Sequence, residues 1–102
     1  MTVLEEPVKK VLWLKNYVNG EWVESTSNMF KDVLNPATMK LLAKVPLSNK
    51  EDLDRAVEAA CEAFPSWRKT TPLARARYFF RLKELLEENF EEISRICVME
   101  HG

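Results

Sequence analysis

The sequence predicts an α+β fold in which two β-hairpins are followed by three helices. Short alternating apolar segments fill the first half of the chain and surround an Asn19-Gly20 pair, a combination that favours strands joined by tight turns. After Pro46, apolar residues recur at intervals of three and four, which is the spacing of one face of an α-helix. Because the chain has 102 residues, it has room for one small domain.

The amino-terminal residues show no periodic pattern, so we expect residues 1–12 to form a loose arm before a domain that spans residues 13–102. Within that domain, Asn19-Gly20 lies between two short apolar pairs. Asn and Gly both tolerate a positive φ, so the pattern predicts a hairpin closed by a two-residue type I′ turn.

Two further strands are expected, at residues 30–34 and 41–45. Between them, Pro36 fixes its own φ, and Asn35 can hydrogen-bond to the backbone that follows it. The segment predicts either a second hairpin or a strand–turn–strand unit with a longer loop.

The first helix is expected over residues 49–64. Ser48 and Glu51 have the spacing of a capping box, in which each side chain hydrogen-bonds to the backbone of the other residue. Pro65 predicts the end of the helix, because proline interrupts the hydrogen bonds of a helix interior. One apolar face follows the helical period: Leu53, Ala56, Val57, Ala60, Cys61 and Phe64.

The second and third helices are expected over residues 72–88 and 90–101. Thr71-Pro72 opens the second helix, since a proline in the first turn sacrifices no hydrogen bond. Asn89 is interpreted as the cap of the third helix, and Gly102 as the residue that ends it in a left-handed conformation.

The second helix begins with basic residues, an order that opposes its dipole. Two interpretations stay open. The basic side chains pair within the helix, as Arg81 with Glu84, or they meet acidic groups or backbone carbonyls elsewhere in a larger assembly. The residues concerned are Arg75, Arg77, Arg81 and Lys83.

Composition excludes several classes of partner. With 15 basic and 16 acidic residues the formal net charge is −1, so no basic field is left for nucleic acid or an anionic membrane surface. The apolar runs are far shorter than the roughly 20 residues that span a bilayer. The start of the chain lacks the apolar core of a secretory signal and the composition of a transit peptide, so we expect a cytoplasmic protein.

No catalytic, cofactor-binding or metal-ligating residue is predicted. Cys61 and Cys97 occupy apolar helix positions, where a free cysteine is typically a small buried side chain. His101 is the only histidine, so the acidic residues near the end of the second helix have no imidazole partner for a metal. With glycine only at Gly20 and Gly102, a glycine-rich phosphate loop is excluded. By its own residues the chain is not a self-contained enzyme.

Five motifs in a fixed order carry a family resemblance. They are Asn19-Gly20-Glu21-Trp22, Asn35-Pro36-Ala37-Thr38, Ala63-Phe64-Pro65-Ser66-Trp67, Thr71-Pro72 and Glu100-His101-Gly102. In this order they resemble the amino-terminal part of the aldehyde dehydrogenase superfamily, over about residues 14–102. Residues 63–68, together with residues 45–47 upstream, most resemble the methylmalonate-semialdehyde dehydrogenase branch.

The resemblance implies that this segment is the outer part of an α/β NAD-binding domain. It implies a full-length enzyme that oxidises malonate or methylmalonate semialdehyde with NAD through a cysteine nucleophile and passes the acyl group to coenzyme A. The family's catalytic cysteine, general-base glutamate and cofactor-binding strands lie beyond this segment, and Cys61 and Cys97 match none of them. We therefore expect neither NAD nor coenzyme A to bind the chain alone. Some relatives hold a structural monovalent cation where Glu100, Val33 and Leu34 stand here.

Two hypotheses about function follow. In the first, the chain is a piece of an NAD-dependent semialdehyde dehydrogenase and is inactive alone. Its exposed apolar surface then binds the remainder of the fold or a second copy, and the full-length enzyme is a homo-oligomer. In the second, the chain is a free-standing interaction module that keeps the fold without the chemistry. A reading frame that continues after Gly102 favours the first hypothesis, and a stop codon there keeps the second.

Overall fold

The structure, a computed structural model, describes residues 10–102. The strands come first and three helices follow, which confirms the predicted α+β order. Of the predicted loose arm, residues 1–9 lie outside the described residues, whereas Leu12 already belongs to the first strand. The elements are β1 (Leu12–Trp13), β2 (Asn16–Val18), β3 (Glu21–Val23), β4 (Phe30–Leu34), β5 (Leu41–Pro46), α1 (Lys50–Lys69), α2 (Pro72–Glu88) and α3 (Phe90–His101).

Strands β1, β5 and β4 form a three-stranded sheet in that order. Strand β4 runs antiparallel to β5, as expected for consecutive strands, and β1 runs parallel to β5. The sequence does not reveal β1, because two residues are too few to show an alternating pattern. The Trp13 ring meets the Phe30 ring edge-on at 4.9 Å between centroids, and the Lys44 ammonium lies 5.4 Å from the Trp13 centroid. Side chains from all three strands therefore meet around Trp13.

The predicted type I′ hairpin is confirmed in β2 and β3. Asn19 and Gly20 connect the two strands with φ values of 52° and 76°. Tyr17 is paired directly opposite Trp22, and their ring centroids lie 4.8 Å apart. The turn thus fixes the register that brings the two aromatic rings together.

The predicted second hairpin is confirmed, because β4 and β5 pair antiparallel, and residues 35–40 form the loop that joins them. The side-chain oxygen of Asn35 accepts a hydrogen bond from the Ala37 N–H at 3.0 Å, as its sequence position predicted. The Asn35 carbonyl also accepts from the Met39 N–H at 2.7 Å. Met39 itself has φ 59°, a left-handed conformation that closes the loop before β5 begins.

The predicted start of α1 is wrong by one residue. The N-cap is Asn49, whose side chain accepts from the Asp52 N–H, and the Asp52 carboxylate accepts in turn from the Asn49 N–H. Asn49 and Asp52 have the same capping-box spacing as Ser48 and Glu51. The Asn49–Asp52 capping box forms instead of the Ser48–Glu51 one because Asp52 also accepts hydrogen bonds from Ser25 and Thr26, which follow the hairpin.

The predicted end of α1 at Pro65 is also wrong, since the helix continues to Lys69. Proline removes one hydrogen bond and strains the preceding turn, but it does not prevent the following residues from remaining helical. Contacts from α2 stabilise the last turn of α1. Its Trp67 ring lies 5.7 Å from the Tyr78 ring of α2, and its backbone carbonyls accept hydrogen bonds from Arg75.

Helix α2 begins as predicted, with the Thr71 hydroxyl accepting from the Ala74 N–H at 3.2 Å. The predicted role of Asn89 needs correction. Its side-chain amide donates to the Leu85 carbonyl at 2.9 Å, so it caps the end of α2 and makes no side-chain cap for α3. Gly102 ends α3 with φ 83°, as predicted, and a Cβ added there would lie 3.1 Å from Pro36. The end of α3 therefore lies against the loop between β4 and β5.

Little of the chain is buried. Among residues 10–102 the buried apolar side chains are Leu42, Ala43, Pro46 and Met99, and none of the large side chains is completely enclosed. The radius of gyration is 17.5 Å, whereas a compact domain of this length has about 13 Å. The helices extend from the sheet instead of folding over a core of their own.

The Asp52 carboxylate joins the strand region to the helices. It accepts from the Ser25 hydroxyl, from the Thr26 N–H and hydroxyl at 2.9 and 3.1 Å, and from the Asn49 N–H at 3.2 Å. These donors, the Ser25 hydroxyl foremost, stabilise the charged form and lower the pKa of Asp52 from 3.8 to about 2. Asp52 is a buried charged residue, and the hydrogen bonds replace the water that it has lost.

Replacing Gly20 by Val should destabilise the β2–β3 hairpin by about 1–2 kcal/mol, since an L residue is strained in the left-handed region. A Cβ at this position has no atom within 4 Å, so crowding does not contribute. Faster amide exchange in residues 16–23 would report the loss, with Gly20→Asn as the matched control because Asn tolerates this φ. Equal exchange in the two variants would contradict the assignment.

Replacing Asp52 by Asn should lower the stability of the fold at neutral pH. It should also remove the part of the stability that the wild-type chain loses as the pH falls. Because the folded-state pKa lies below the ordinary 3.8, the stabilisation is complete above that pH and is lost as the pH falls through about 2. Thermal unfolding followed by circular dichroism between pH 7 and pH 2 measures both effects. The control is Asp54→Asn in the same helix, whose pair with Lys50 is exposed and weak. Identical profiles for the two variants would refute this role of Asp52.

Candidate functional site

A groove of about 600 Å³ lies between β2 and the first two turns of α1. Tyr17 and Val18 form one wall, and Leu53 and Ala56 form the other. At its mouth the Asn16 amide donates to the Ser48 hydroxyl at 2.9 Å, which holds the hairpin to the residue before the α1 cap. The groove continues along α1 as a second cavity of about 260 Å³. Residues 17–19 of the hairpin line one side of it, and small side chains of α1 line the other: Ala56, Ala59, Ala60 and Ala63.

The charged groups at this groove are already engaged within the chain. The Asp52 carboxylate accepts several hydrogen bonds, and its pKa of about 2 makes it a poor proton acceptor at neutral pH. The Lys50 ammonium pairs with Asp54 at 2.7 Å. The residues of the groove therefore supply no nucleophile with an activating base.

A second polar junction forms where α1 ends and α2 begins. The Arg75 guanidinium donates to the carbonyls of Trp67 and Arg68 at 3.0 and 2.9 Å, and it lies 5.5 Å from the Trp67 ring centroid. Cations are favoured at the carboxyl end of a helix, where backbone carbonyls lack partners. This contact fixes the angle between the two helices.

The first interpretation of the basic residues in α2, pairing within the helix, is confirmed for Arg81, and the second, contacts in a larger assembly, stays a prediction. Arg81 pairs with Glu84 in the same helix at 2.8 Å. Arg75 binds backbone carbonyls, but they belong to the end of α1 and not to another assembly.

Apolar side chains of the helices remain exposed to solvent, as the sequence analysis expected. On α1, Leu53, Val57 and Phe64 are each more than half exposed. On α2 the same holds for Leu73, Tyr78, Phe79 and Phe80. Exposure of this extent is typical of a surface that binds another protein layer.

Cys61 and Cys97 are exposed, which corrects the expectation that they are buried. Both lie at apolar helix positions, as predicted, but no element of residues 10–102 covers those positions. His101 follows Cys97 by four residues in α3 and so lies on the same side of the helix.

The described residues contain no group of three His, Cys, Asp or Glu side chains placed to hold a metal ion. Glu100 is exposed near the end of α3, and that end contacts the loop that follows Val33 and Leu34. A cation at this place stays a hypothesis. Over the same residues, no helix has the length and apolar character needed to cross a membrane.

Sequence reasoning missed the two polar junctions. Asn49 and Asp52 offered a signal, since their spacing is that of a capping box, but the tertiary partners Ser25 and Thr26 have no pattern of their own. For Arg75, the basic start of α2 indicated an acceptor outside that helix but not which one, because every sequence has backbone carbonyls.

The sequence matches known dehydrogenases along most of its length. The profile of the aldehyde dehydrogenase family matches residues 22–102. A malonate-semialdehyde dehydrogenase from Bacillus mycoides is 53% identical over 95 residues, which are 93% of this chain and 20% of that protein. A malonate-semialdehyde dehydrogenase from Halalkalibacterium halodurans is 53% identical over 89 residues, 87% of this chain and 18% of that protein. The chain thus spans about a fifth of the length of these relatives.

Solved structures agree with these matches. The crystal structure of a methylmalonate-semialdehyde dehydrogenase from Oceanimonas doudoroffii superimposes with a TM-score of 0.84 at 39% identity, over 90% of this chain and 19% of that one. An aldehyde dehydrogenase from Pseudomonas syringae, solved with NAD+ and octanal, gives a TM-score of 0.82 at 37% identity, over 84% of this chain and 18% of that one. The chain belongs to the aldehyde dehydrogenase family and corresponds to its amino-terminal segment.

Proposed function

We propose that this chain is the amino-terminal segment of the cofactor domain of a cytoplasmic, NAD-dependent semialdehyde dehydrogenase. In the full-length enzyme, the substrate is malonate or methylmalonate semialdehyde and the product is an acyl-CoA. The segment itself is structural: it has no activity alone and completes a fold that is made mostly by the remainder of the enzyme.

The relatives support the substrate class. The similar proteins from Bacillus mycoides and Halalkalibacterium halodurans are both malonate-semialdehyde dehydrogenases. The similar structure from Oceanimonas doudoroffii is a methylmalonate-semialdehyde dehydrogenase. Three of the four relatives described above fall in this branch, whereas the one from Pseudomonas syringae is an aldehyde dehydrogenase solved with octanal, so the proposal favours the branch of the majority.

The observation that carries the structural role is the exposed apolar surface of the helices. If these faces stay in water, the fold lacks roughly 1.5–3 kcal/mol of stabilising free energy for each large apolar side chain that is not buried. Since the matched relatives are about five times longer, they contain enough additional structure to cover these faces.

The described residues do not fit a cofactor site. Dinucleotide phosphates bind where a glycine-rich loop opens a helix, because the free N–H groups and the helix dipole favour an anion. The first turn of α1 contains Glu51 and Asp52, and that of α3 contains Glu91 and Glu92. These carboxylates repel phosphate from the starts of α1 and α3. The start of α2 has no acidic residue, but no glycine-rich loop precedes it, which supports the proposal that the segment does not hold NAD by itself.

We expect the 102-residue chain to show no heat of binding when it is titrated with NAD, and to form no NADH with malonate semialdehyde and coenzyme A. The physical reason is that neither a nucleophile with its base nor a phosphate-binding loop is present among residues 10–102. A purified full-length relative serves as the positive control. A micromolar NAD site on the chain alone would overturn the structural role.

We also expect the coding sequence to continue beyond Gly102 and its full-length product to oxidise malonate or methylmalonate semialdehyde, with acyl-CoA formed only when coenzyme A is added. Octanal is the matched control substrate, since the Pseudomonas syringae relative was solved with it. A stop codon after Gly102 would favour the free-standing interaction module. Oxidation of octanal in preference to the semialdehydes would contradict the substrate class.

A further inference from the structure

We propose that Asn19 is a site of spontaneous deamidation. In this reaction the Gly20 backbone nitrogen displaces ammonia from the Asn19 side-chain amide, and water then opens the cyclic product to aspartate or isoaspartate. The isoaspartate product unpairs the β2–β3 hairpin. The inference goes beyond the proposed function and does not depend on it, because it concerns a reaction of the chain itself.

The reaction needs an asparagine whose side chain can meet the backbone nitrogen of the next residue. A hydroxide ion removes the proton of the Gly20 nitrogen, which then forms a bond to the side-chain carbonyl carbon (Cγ) of Asn19. The Cγ–Nδ2 bond breaks, and Nδ2 takes a proton from water and leaves as ammonia. Water then adds to either carbonyl of the succinimide ring. The net change consumes water and releases ammonia, with no oxidation or reduction.

Both reacting groups of the Asn19-Gly20 pair are accessible. Asn19 is exposed, and its side-chain amide makes no hydrogen bond to another described residue. Within residues 10–102 the Gly20 N–H makes no backbone hydrogen bond, and a Cβ built on Gly20 would meet no atom within 4 Å. The Gly20 nitrogen and the Asn19 side chain are therefore open to each other and to water.

The other five asparagines are blocked or engaged. Asn35 precedes Pro36, which has no N–H to react. Asn28 precedes Met29, whose N–H already donates to the Ser27 hydroxyl at 3.1 Å. The side-chain amides of the remaining three are hydrogen-bonded within the chain: Asn16, Asn49 and Asn89.

The turn already holds Asn19 in a backbone conformation from which the ring can close. Its φ is 52°, and a positive φ at the first central position is common to type I′ and type II′ turns. Ring closure requires the Gly20 nitrogen to turn toward the Asn19 side chain. Rotation of the one peptide unit between these residues, which interconverts the two turn types, makes this movement. Because glycine adopts φ of either sign, the strands can stay paired while it happens.

Isoaspartate unpairs the hairpin because it lengthens the loop. The main chain then runs through the former side chain, which adds a backbone carbon between the two turn residues. A two-residue turn fixes the register of β2 against β3, and a longer loop does not fit that register. Two contacts depend on it: the Tyr17–Trp22 ring pair at 4.8 Å and the Asn16–Ser48 hydrogen bond at 2.9 Å. The modification thus also loosens the hairpin from the start of α1.

The test incubates the 102-residue chain at neutral pH and follows all its asparagines by mass spectrometry of tryptic peptides. We expect conversion at Asn19 before any is detectable elsewhere. Isoaspartate is quantified by methyl transfer from labelled S-adenosylmethionine with an isoaspartyl methyltransferase. The matched control is Asn19→Gly, which suits the type I′ turn and has no side chain to react, so it should take up no label above background.

A second measurement separates the folded turn from the sequence alone. In urea the same chain has the Asn19-Gly20 pair without the hairpin. We expect the folded chain to react at most about tenfold more slowly than the unfolded one, a difference in activation free energy of about 1.4 kcal/mol. A greater retardation would mean that the hairpin has to open before the ring closes, and it would overturn the inference.

A third measurement tests the consequence for the hairpin. Amide exchange in residues 16–23 should be faster in the isoaspartate fraction than in the unmodified chain, and unchanged in α3. Asn19→Asp is the control, since it has the added charge and an unaltered main chain. Earlier conversion at another asparagine, equal labelling of Asn19→Gly, or equal exchange in the isoaspartate fraction and the control would each contradict the proposal. So would a lack of slow exchange in residues 16–23 of the unmodified chain, because the hairpin is then not formed.

Discussion

The hydrogen bonds to the Asp52 carboxylate connect the strand half of the chain to its helical half. Ser25 and Thr26 follow the β2–β3 hairpin, and Asn49 caps α1, so one side chain binds both regions. Arg75 makes the corresponding link between α1 and α2. Since few apolar residues within 10–102 are buried (Leu42, Ala43, Pro46 and Met99), these polar junctions, and not a core, orient the elements.

This division between polar junctions and uncovered apolar faces is consistent with a segment of a larger fold. Hydrogen bonds depend on direction and can fix the angle between two elements before a core forms around them. Apolar burial is not directional, and on the helices within residues 10–102 it is incomplete. Cys61 and Cys97 are exposed for the same reason, because no other element of these residues covers their helix faces.

Local features of the fold were predictable where a few neighbouring residues decide the conformation. Asn19 and Gly20 tolerate positive φ, and Thr71-Pro72 offers a cap and a first-turn proline, so the hairpin and the start of α2 were correct. Predictions failed where a distant residue decides between local alternatives. Asn49 prevails over Ser48 as the cap because Asp52 has partners 26 and 27 residues away. Pro65 remains inside α1 because contacts from α2 hold the turn that follows it.

The sequence by itself determined the order of the elements, their approximate bounds, the family resemblance and the lack of a recognisable catalytic group. Each of these depends on local spacing or on residue type, which are present in the chain before it folds. Only the tertiary structure decided that β1 joins β5 in parallel, that Asp52 and Arg75 form the junctions, and that apolar side chains of α2 stay exposed. Those features depend on which distant groups meet and which surfaces lose contact with water, and neither is a property of any short stretch of sequence.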